Sequence, residues 1–458
     1  MPPPPWPSDL LPELARLAAA RPAVILDDDP TGTQTLRDVP VLSAWDVDAI
    51  AGHLDGRVLF LSTNSRSLDE AAASAITGTA ATDAMEASRR TGRAISIVSR
   101  SDSTLRGHFP AETMAVAAAI GRPDARVLLA PFFGEGGRLT VDDVHLLERD
   151  GHRQPVSDTE FARDAVFGYR SSNLHDWVAE RYAASGRAAP PVIGLSLEQI
   201  RSVGPQAVER ALRSLPAGGV AIANAEVDRD IEVTALGALR AEIAGLPLVA
   251  RTAASYVRAR AGRAPAPSLR ADELGAGGVG LGVVGSHVET TTRQLDHLLA
   301  ASDPSRLVPH ELPLDPILAG GPASDRAIRE AAEVVEGALA TGRTGLISTE
   351  RARREVGLDG GRRISNALVA VVEAVRTRPG WVIGKGGITS SDLASRALGM
   401  REARVAGQLL PGVPVWIGSE GSRWPGMPLV VFPGNVGDAD ALTRTVALLA
   451  GPRPEPHG

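Results

Sequence analysis

The sequence predicts an α/β protein of two domains, each built on a largely parallel sheet. Short apolar runs alternate with Ala-rich stretches of helical length along the whole chain, which is the pattern of strand–helix–strand units. A small, Pro-containing break near residue 265 interrupts the alternation. At 458 residues the chain also exceeds what one hydrophobic core usually serves.

The first strands read as Ala23–Leu26, Val58–Leu61, Ala94–Val98 and Val127–Ala130, with helices between them at Asp69–Thr91 and Ala111–Ile120. Nearly continuous apolar strands of this length suit burial on both faces. Val192–Leu195, Val220–Ile222 and Leu248–Ala250 follow as strands. Ala261–Ser268 is poor in hydrophobic anchors and reads as a linker. The expected division is residues 1–262, a linker at 263–278, and 279–458. After the linker come a strand at Val279–Val284, helices at Thr290–Ala300 and Ser324–Ala340, and a strand at Leu346–Ser348. A helix at Ile364–Arg376, a strand at Trp381–Ile383 and a helix at Ser391–Leu398 continue the pattern. Strands at Val413–Trp416 and Leu429–Phe432 precede a closing helix, Asp438–Leu449.

Composition narrows the function. Aromatic content of 3% and a net charge of −6 argue against nucleic-acid binding, which needs stacking platforms and clustered cations. The chain has no cysteine, excluding disulfides, thiolate nucleophiles and Cys-ligated metals. No signal-peptide pattern and no apolar run of membrane-spanning length is read, so a cytoplasmic location without membrane contact is expected. A homo-oligomer is compatible with the sequence.

Ligands of parallel α/β sheets bind beyond the carboxyl ends of the strands. The first strand ends in Asp27-Asp28-Asp29-Pro30-Thr31-Gly32, whose adjacent carboxylates repel and need a cation, solvent or a hydroxylated ligand. A polar loop capping the next helix is the plain alternative, but the run directly follows a buried strand. A second strand end carries Ser99 to His108: Arg100 and Arg106 can fork a carboxylate or phosphate, Asp102 can accept a hydroxyl proton, and Ser103 and Thr104 can grip polyol oxygens. Pro131–Thr140, with its glycines, and Thr63-Asn64-Ser65-Arg66 add two more turns. Together they describe a pocket for something small, hydroxylated and anionic.

In the second half, glycine turns again follow strands: Gly285-Ser286-His287, Gly384-Lys385-Gly386-Gly387-Ile388-Thr389-Ser390, and Pro433-Gly434-Asn435-Val436-Gly437. Exposed backbone N–H groups at such turns favour anions. Lys385, the only lysine in the chain, is expected to add positive charge for nucleotide phosphates. Gly380–Lys385 is not a Walker A loop, because its spacing is short and its apolar residues form a strand. Gly280–Gly285 matches G-x-G-x-x-G by letter, yet only Gly285 reaches the turn. The histidines show no metal-ligand spacing, and His108, His145 and His287 lie near candidate loops.

These motifs, in this order, resemble the four-carbon acid sugar kinase family, once catalogued as a domain of unknown function, over nearly the whole chain. Its D-D-x-T-G is matched by Asp28–Gly32, its D-S-T-L-R-G by Asp102–Gly107, and its P-x-x-G-R-x-T-like segment approximately by Pro131–Thr140, with Arg138 and Thr140 in place. Its G-S, G-G-x-T-S and P-G-N-x-G turns correspond to Gly285-Ser286, Gly386–Ser390 and Pro433–Gly437. His108 stands where many relatives have Asn, and Arg100 where they have Lys.

The resemblance implies a kinase with its active site in the interdomain cleft, transferring the ATP γ-phosphoryl group to a terminal hydroxyl of an acid such as threonate, erythronate or 3-oxotetronate. Asp28, Asp29 or Asp102 would orient and deprotonate the hydroxyl. Thr31, Arg100, Ser103, Thr104, Arg106 and Arg138 would hold the sugar acid. Ser286, Lys385, Gly386, Gly387, Thr389, Ser390, Gly434 and Asn435 would serve the nucleotide. ATP and Mg²⁺ are the implied cofactors, and closure about the linker would exclude water. The alternatives are an NAD(P)-dependent oxidoreductase resting on Gly280–Gly285, and a non-catalytic sugar-acid or nucleotide-binding regulator.

Overall fold

The computed structural model describes residues 2–149, 151–275, 277–351 and 356–451. The chain divides into two compact units, Met1–Pro265 and Ala266–Gly458.

In the first unit, strands β1 (Ala23–Asp27), β2 (Val39–Leu42), β3 (Val58–Ser62), β4 (Ser96–Arg100) and β5 (Arg126–Ala130) precede a hairpin region of β6 (Arg138–Val141), β7 (Val144–Arg149) and β8 (His152–Pro155). Strands β9 (Val192–Leu195), β10 (Val220–Ala223) and β11 (Leu248–Thr252) complete it. The main sheet runs β2-β3-β1-β4-β11-β5-β10-β9, and its strand pairs are parallel. Val24, Ile25 and Leu26 are buried because helices cover both faces of the sheet. The helix Glu70–Thr91 shows why these segments coil. Asp69 caps its start by accepting from Ala72 N at 2.8 Å, Ala73, Thr77, Ala80, Ala84 and Ala87 form a buried stripe, and Gly92 ends it at φ 67°.

The chain leaves β1 toward β3 on one side and then crosses to β4 on the other. That reversal opens a crevice at the carboxyl end of β1. Register brings the strand ends level there: Asp27 lies beside Ser62 and Arg100, and Arg100 beside Thr252.

In the second unit, β12 (Leu281–Val284), β13 (Leu307–Leu312), β14 (Thr344–Thr349), β15 (Val382–Lys385), β16 (Glu402–Leu410), β17 (Val413–Gly418) and β18 (Pro428–Phe432) form the order β13-β14-β12-β15-β18-β17-β16. Strand β17 is antiparallel to both neighbours. The order reverses at β12, which lies between β14 and β15, so its crevice opens at Gly285-Ser286. Leu269 and Leu274 pack into the core of this unit, and Leu269 N donates to Gln408 O. The later half of the segment read as a linker is therefore anchored.

Three further differences are local. Arg138 and Thr140 stand on a strand of a separate three-stranded antiparallel sheet, β6-β7-β8, rather than on a glycine loop. The helix expected to begin at Ile364 starts at Gly357. The segment Ser391–Leu398 divides into the end of the helix Gly387–Asp392 and a π-turn, Leu393–Ala397.

Candidate functional site

At the β1 crevice the acidic run is organised by Arg66, from the turn after β3. Its Nη2 and Nε donate to the two carboxylate oxygens of Asp28 at 2.6 and 3.1 Å, and its Nη1 donates to Asp29 Oδ2 at 3.1 Å. The same Nη1 lies 3.9 Å from Asp102 Oδ1. One guanidinium fork thus draws carboxylates from two strand ends onto a common centre. Asp29 Oδ1 also accepts from Thr31 N at 2.9 Å, which makes it the cap of the short turn Pro30–Thr33. Burial alone would raise the Asp29 and Asp102 carboxyls. Their cations hold them below the usual range: Arg66 and Arg100 at Asp29, Arg106 and Arg66 at Asp102.

Asp102 is further held by Arg106 Nε at 2.8 Å and by the Thr104 hydroxyl. Arg106 Nη1 lies 3.6 Å from Asp164, and the Arg106 guanidinium is 5.1 Å from the Phe161 ring centroid. Arg138 approaches the same ring at 5.9 Å. Its Nη1 donates to Gly136 O, while its buried Nε has no hydrogen-bond partner among the described residues. Burial lowers its pKa to about 10, partly offset by Asp102. Arg106 and Arg138 therefore form a cationic wall over Phe161, beside the carboxylates.

Arg100, expected to hold a carboxylate of the substrate, makes hydrogen bonds within the acidic turn. It is buried, donating from Nη1 to Asp27 Oδ1 at 3.2 Å and to Asp29 O at 3.4 Å. Its strand register puts it beside Asp27, so its charge stabilises the acidic turn from within. Asp27 Oδ2 has no hydrogen-bond partner among the described residues, and burial pushes this carboxyl up to about 8 against the pull of Arg100. A side chain at Gly32 would collide with Asp27. The turn therefore folds directly over this carboxyl.

Beneath Asp28, Arg251 on β11 donates to Arg106 O at 3.1 Å and lies 5.3 Å from the rings of Phe109 and Trp177. Glu112 accepts from Ser65 and, at 3.2 Å, from Thr77. Burial, with Asp28 nearby, raises the Glu112 carboxyl. His145 ties the hairpin to the Asp102 loop: Nε2 donates to Ser103 O at 2.7 Å, and Nδ1 meets the Thr140 hydroxyl at 2.9 Å. Burial drops its pKa to about 4, so the ring is neutral. His108 meets Leu68 O at 3.0 Å and packs edge-on against Phe167.

In the second unit the three glycine turns converge on the carboxyl ends of β12, β15 and β18. The Thr291 hydroxyl donates its one proton to Gly434 O at 2.8 Å and lies 3.1 Å from Ser286 Oγ, from which it can accept. Gly386 has φ 120°, a conformation that favours glycine, and an added Cβ would sit 3.1 Å from the Ser286 side chain. Gly387 follows it at the helix start, Thr389 is buried against Gly285, and Asn435 is half-buried in the last turn. Ser390 is turned inward, its hydroxyl donating to Gly384 O at 2.6 Å. Lys385 is also turned inward. Its Nζ donates to Pro433 O at 2.6 Å and to Gly434 O at 3.4 Å, and burial holds its pKa well below the ordinary lysine range. The glycines of G-x-G-x-x-G are explained by packing, since a side chain at Gly280 would strike Trp381 and one at Gly282 would strike Leu346.

The structure thus brings Asp28, Asp29, Asp102, Thr104, Arg106 and Arg138 together, with Ser103 fixed through its carbonyl. The sequence marks the Arg66 turn without its central role and leaves Arg251, Glu112 and Phe161 unmarked as site residues. Arg251 alone carried a usable signal, as a charged residue inside the apolar strand Leu248–Thr252.

Among the described residues no helix is long and apolar enough to cross a membrane. Residues 23–260 match a family described as a sugar-binding N-terminal domain, and residues 281–442 match one described as a nucleotide-binding C-terminal domain. A Pseudomonas fluorescens 3-oxo-tetronate kinase is 27% identical over 373 residues, covering 76% of this chain and 77% of the relative. Two solved structures share the fold. A candidate tRNA synthase from Salmonella typhimurium LT2 aligns with a TM-score of 0.63 at 14% identity, covering 93% of this chain and 98% of that one. A Haemophilus influenzae protein of a domain-of-unknown-function family aligns with a TM-score of 0.59 at 16% identity, covering 93% and 100%.

Proposed function

Because the chain belongs to the four-carbon acid sugar kinase family, we propose that it transfers the γ-phosphoryl group of ATP to a terminal hydroxyl of a four-carbon sugar acid. The observation that carries this reading is the charge pattern at the β1 crevice. Arg66 gathers Asp28, Asp29 and Asp102 next to Arg106 and Arg138. A hydroxylated anion matches both halves of that pattern.

Arg138, with Arg106, takes the substrate carboxylate; the buried Nε of Arg138 has no hydrogen-bond partner among the described residues. Asp29 and Asp102 meet the reacting hydroxyl, because their side chains keep 17% and 13% exposure while Asp28 keeps 3%. A carboxylate held in its ionised form suits this task, since phosphoryl transfer asks mainly for positioning and a late proton acceptor. Ser103 and Thr31 line the same turns.

Ser286, Gly386, Gly387, Thr389, Gly434 and Asn435 would hold the nucleotide through backbone and hydroxyl groups. Mg²⁺ would neutralise the charge of the ATP phosphates. The protein supplies orientation and exclusion of water.

The test is ADP release from ATP and Mg²⁺ by purified protein, coupled to a panel of threonate, erythronate and 3-oxotetronate stereoisomers. Turnover on at least one acid, and none without an acid, is expected. Silence across the panel together with nicotinamide reduction on any member would overturn the reading in favour of an oxidoreductase.

A further inference from the structure

Strand β15 lies between β12 and β18, so its last residue, Lys385, is placed to touch the turns on both sides. It does so with its carbonyl and its side-chain nitrogen. Its carbonyl accepts from Gly285 N at 3.2 Å and Ser286 N at 3.1 Å. Its ammonium donates to Pro433 O and Gly434 O and stands 3.8 Å from the centroid of the Phe432 ring. An ammonium has three donors, and two carbonyls and an aromatic face occupy them. The next residue, Gly386, donates from its N to Phe432 O at 2.8 Å.

The turns joined in this way have no slack. A Cβ at Gly434 would lie 2.5 Å from Ser286 Oγ, and Thr291 bridges Gly434 O to that same hydroxyl. A shift of the Pro433–Gly434 turn by a fraction of an ångström would change the spacing of the backbone N–H groups offered to a ligand. The lysine side chain is fully buried, so its nitrogen is directed at the protein backbone.

We infer that Lys385 is a positioning residue of the nucleotide site, whose ammonium locks the Pro433–Gly434 turn in register with the Gly285–Ser286 turn and does not itself contact phosphate. This rests on reading the second unit as the nucleotide-binding one.

The chain's single lysine makes the test direct, because in a lysine-free tag background the N-terminal amine is the only other primary amine. The full-length protein is treated with an amine-reactive acylating reagent with and without ATP·Mg²⁺, and modification at Lys385 is read by peptide mass spectrometry against the N-terminal amine. Lys385 stays unmodified in both states if it is a structural clamp. Ready modification without ATP and protection with it would identify a phosphate ligand and overturn the inference.

The variant Lys385→Met keeps the volume and removes the donors. It is expected to speed amide exchange at residues 434–436 in the absence of nucleotide and to weaken ATP binding about tenfold or more, with sugar-acid binding unchanged. A general loss of stability would not produce that selectivity. Unchanged exchange in the absence of nucleotide would contradict the inference. If the parent protein binds no ATP, the nucleotide reading fails, whereas the labelling and the exchange still decide whether Lys385 holds the turn.

Discussion

Replacing Arg66 by Met should expose the electrostatic design of the β1 crevice. The guanidinium makes two hydrogen bonds to Asp28 and one to Asp29, and its Nη1 lies 3.9 Å from Asp102. Side-chain exposure is 15% for Arg66 and 3% for Asp28, so solvent screens the pair little. Removing one partner of a buried, hydrogen-bonded ion pair costs about 3–5 kcal/mol, and this variant leaves more than one carboxylate without its cation. The penalty must depend on pH. In the parent, Asp29 and Asp102 have folded pKa values below their unfolded ones, so their stabilisation is present above the unfolded value of about 4 and is lost as pH falls below it. In the variant the mutual repulsion of the carboxylates is relieved by protonation instead. The deficit of Arg66→Met should therefore be on the order of 3–5 kcal/mol at about pH 7.5 and should shrink by half or more at about pH 4.5. Urea unfolding followed by tryptophan fluorescence, with Trp177 buried in the same unit, measures both values. A deficit below about 1 kcal/mol at neutral pH, or one equal at the two pH values, would refute the argument.

Three other outcomes follow from the same geometry. Arg138→Met should raise KM for the sugar acid about tenfold or more with a smaller change in kcat, by steady-state kinetics, because a uniform binding contact is lost. Asp102→Asn should do the reverse, lowering kcat about a hundredfold with KM within a few-fold, since general-base assistance is typically worth 10²–10⁴. His145, neutral in the fold with its pKa near 4, should make the parent lose stability as pH falls from about 6.5 toward that value. His145→Gln, which keeps a donor for Ser103 O without titrating, should flatten the slope of unfolding free energy against pH across that window; an unchanged slope would exclude this histidine as its source.

How much of this was legible in the chain depends on how local each cause is. Strands such as Val58–Ser62 and Leu429–Phe432 announce themselves because burial on both faces demands continuous apolar residues. The turns that follow β1, β4, β12, β15 and β18 were readable for the same reason, as polar or glycine-rich breaks at strand ends. The hairpin β6-β7 was not. Its turn uses Asp142 and Asp143, with φ 49° and 62°, where a stronger signal would be Asn-Gly. Partnership was the least legible property. Nothing in Ser65-Arg66-Ser67 says that Arg66 will reach carboxylates on two other segments, and nothing near Lys385 says that its ammonium will meet backbone at Pro433. Those contacts arise from strand order, which the sequence encodes only through the whole fold.

Phosphorus NMR of the complete reaction follows phosphoryl transfer to a hydroxyl of a small anionic polyol at the atom that moves. With ATP, Mg²⁺ and the preferred four-carbon acid, the ATP signals should give way to those of ADP and one new phosphomonoester, in equal amounts. ADP accompanied only by inorganic phosphate, or an ATP spectrum that never changes across the acid panel, would contradict the account.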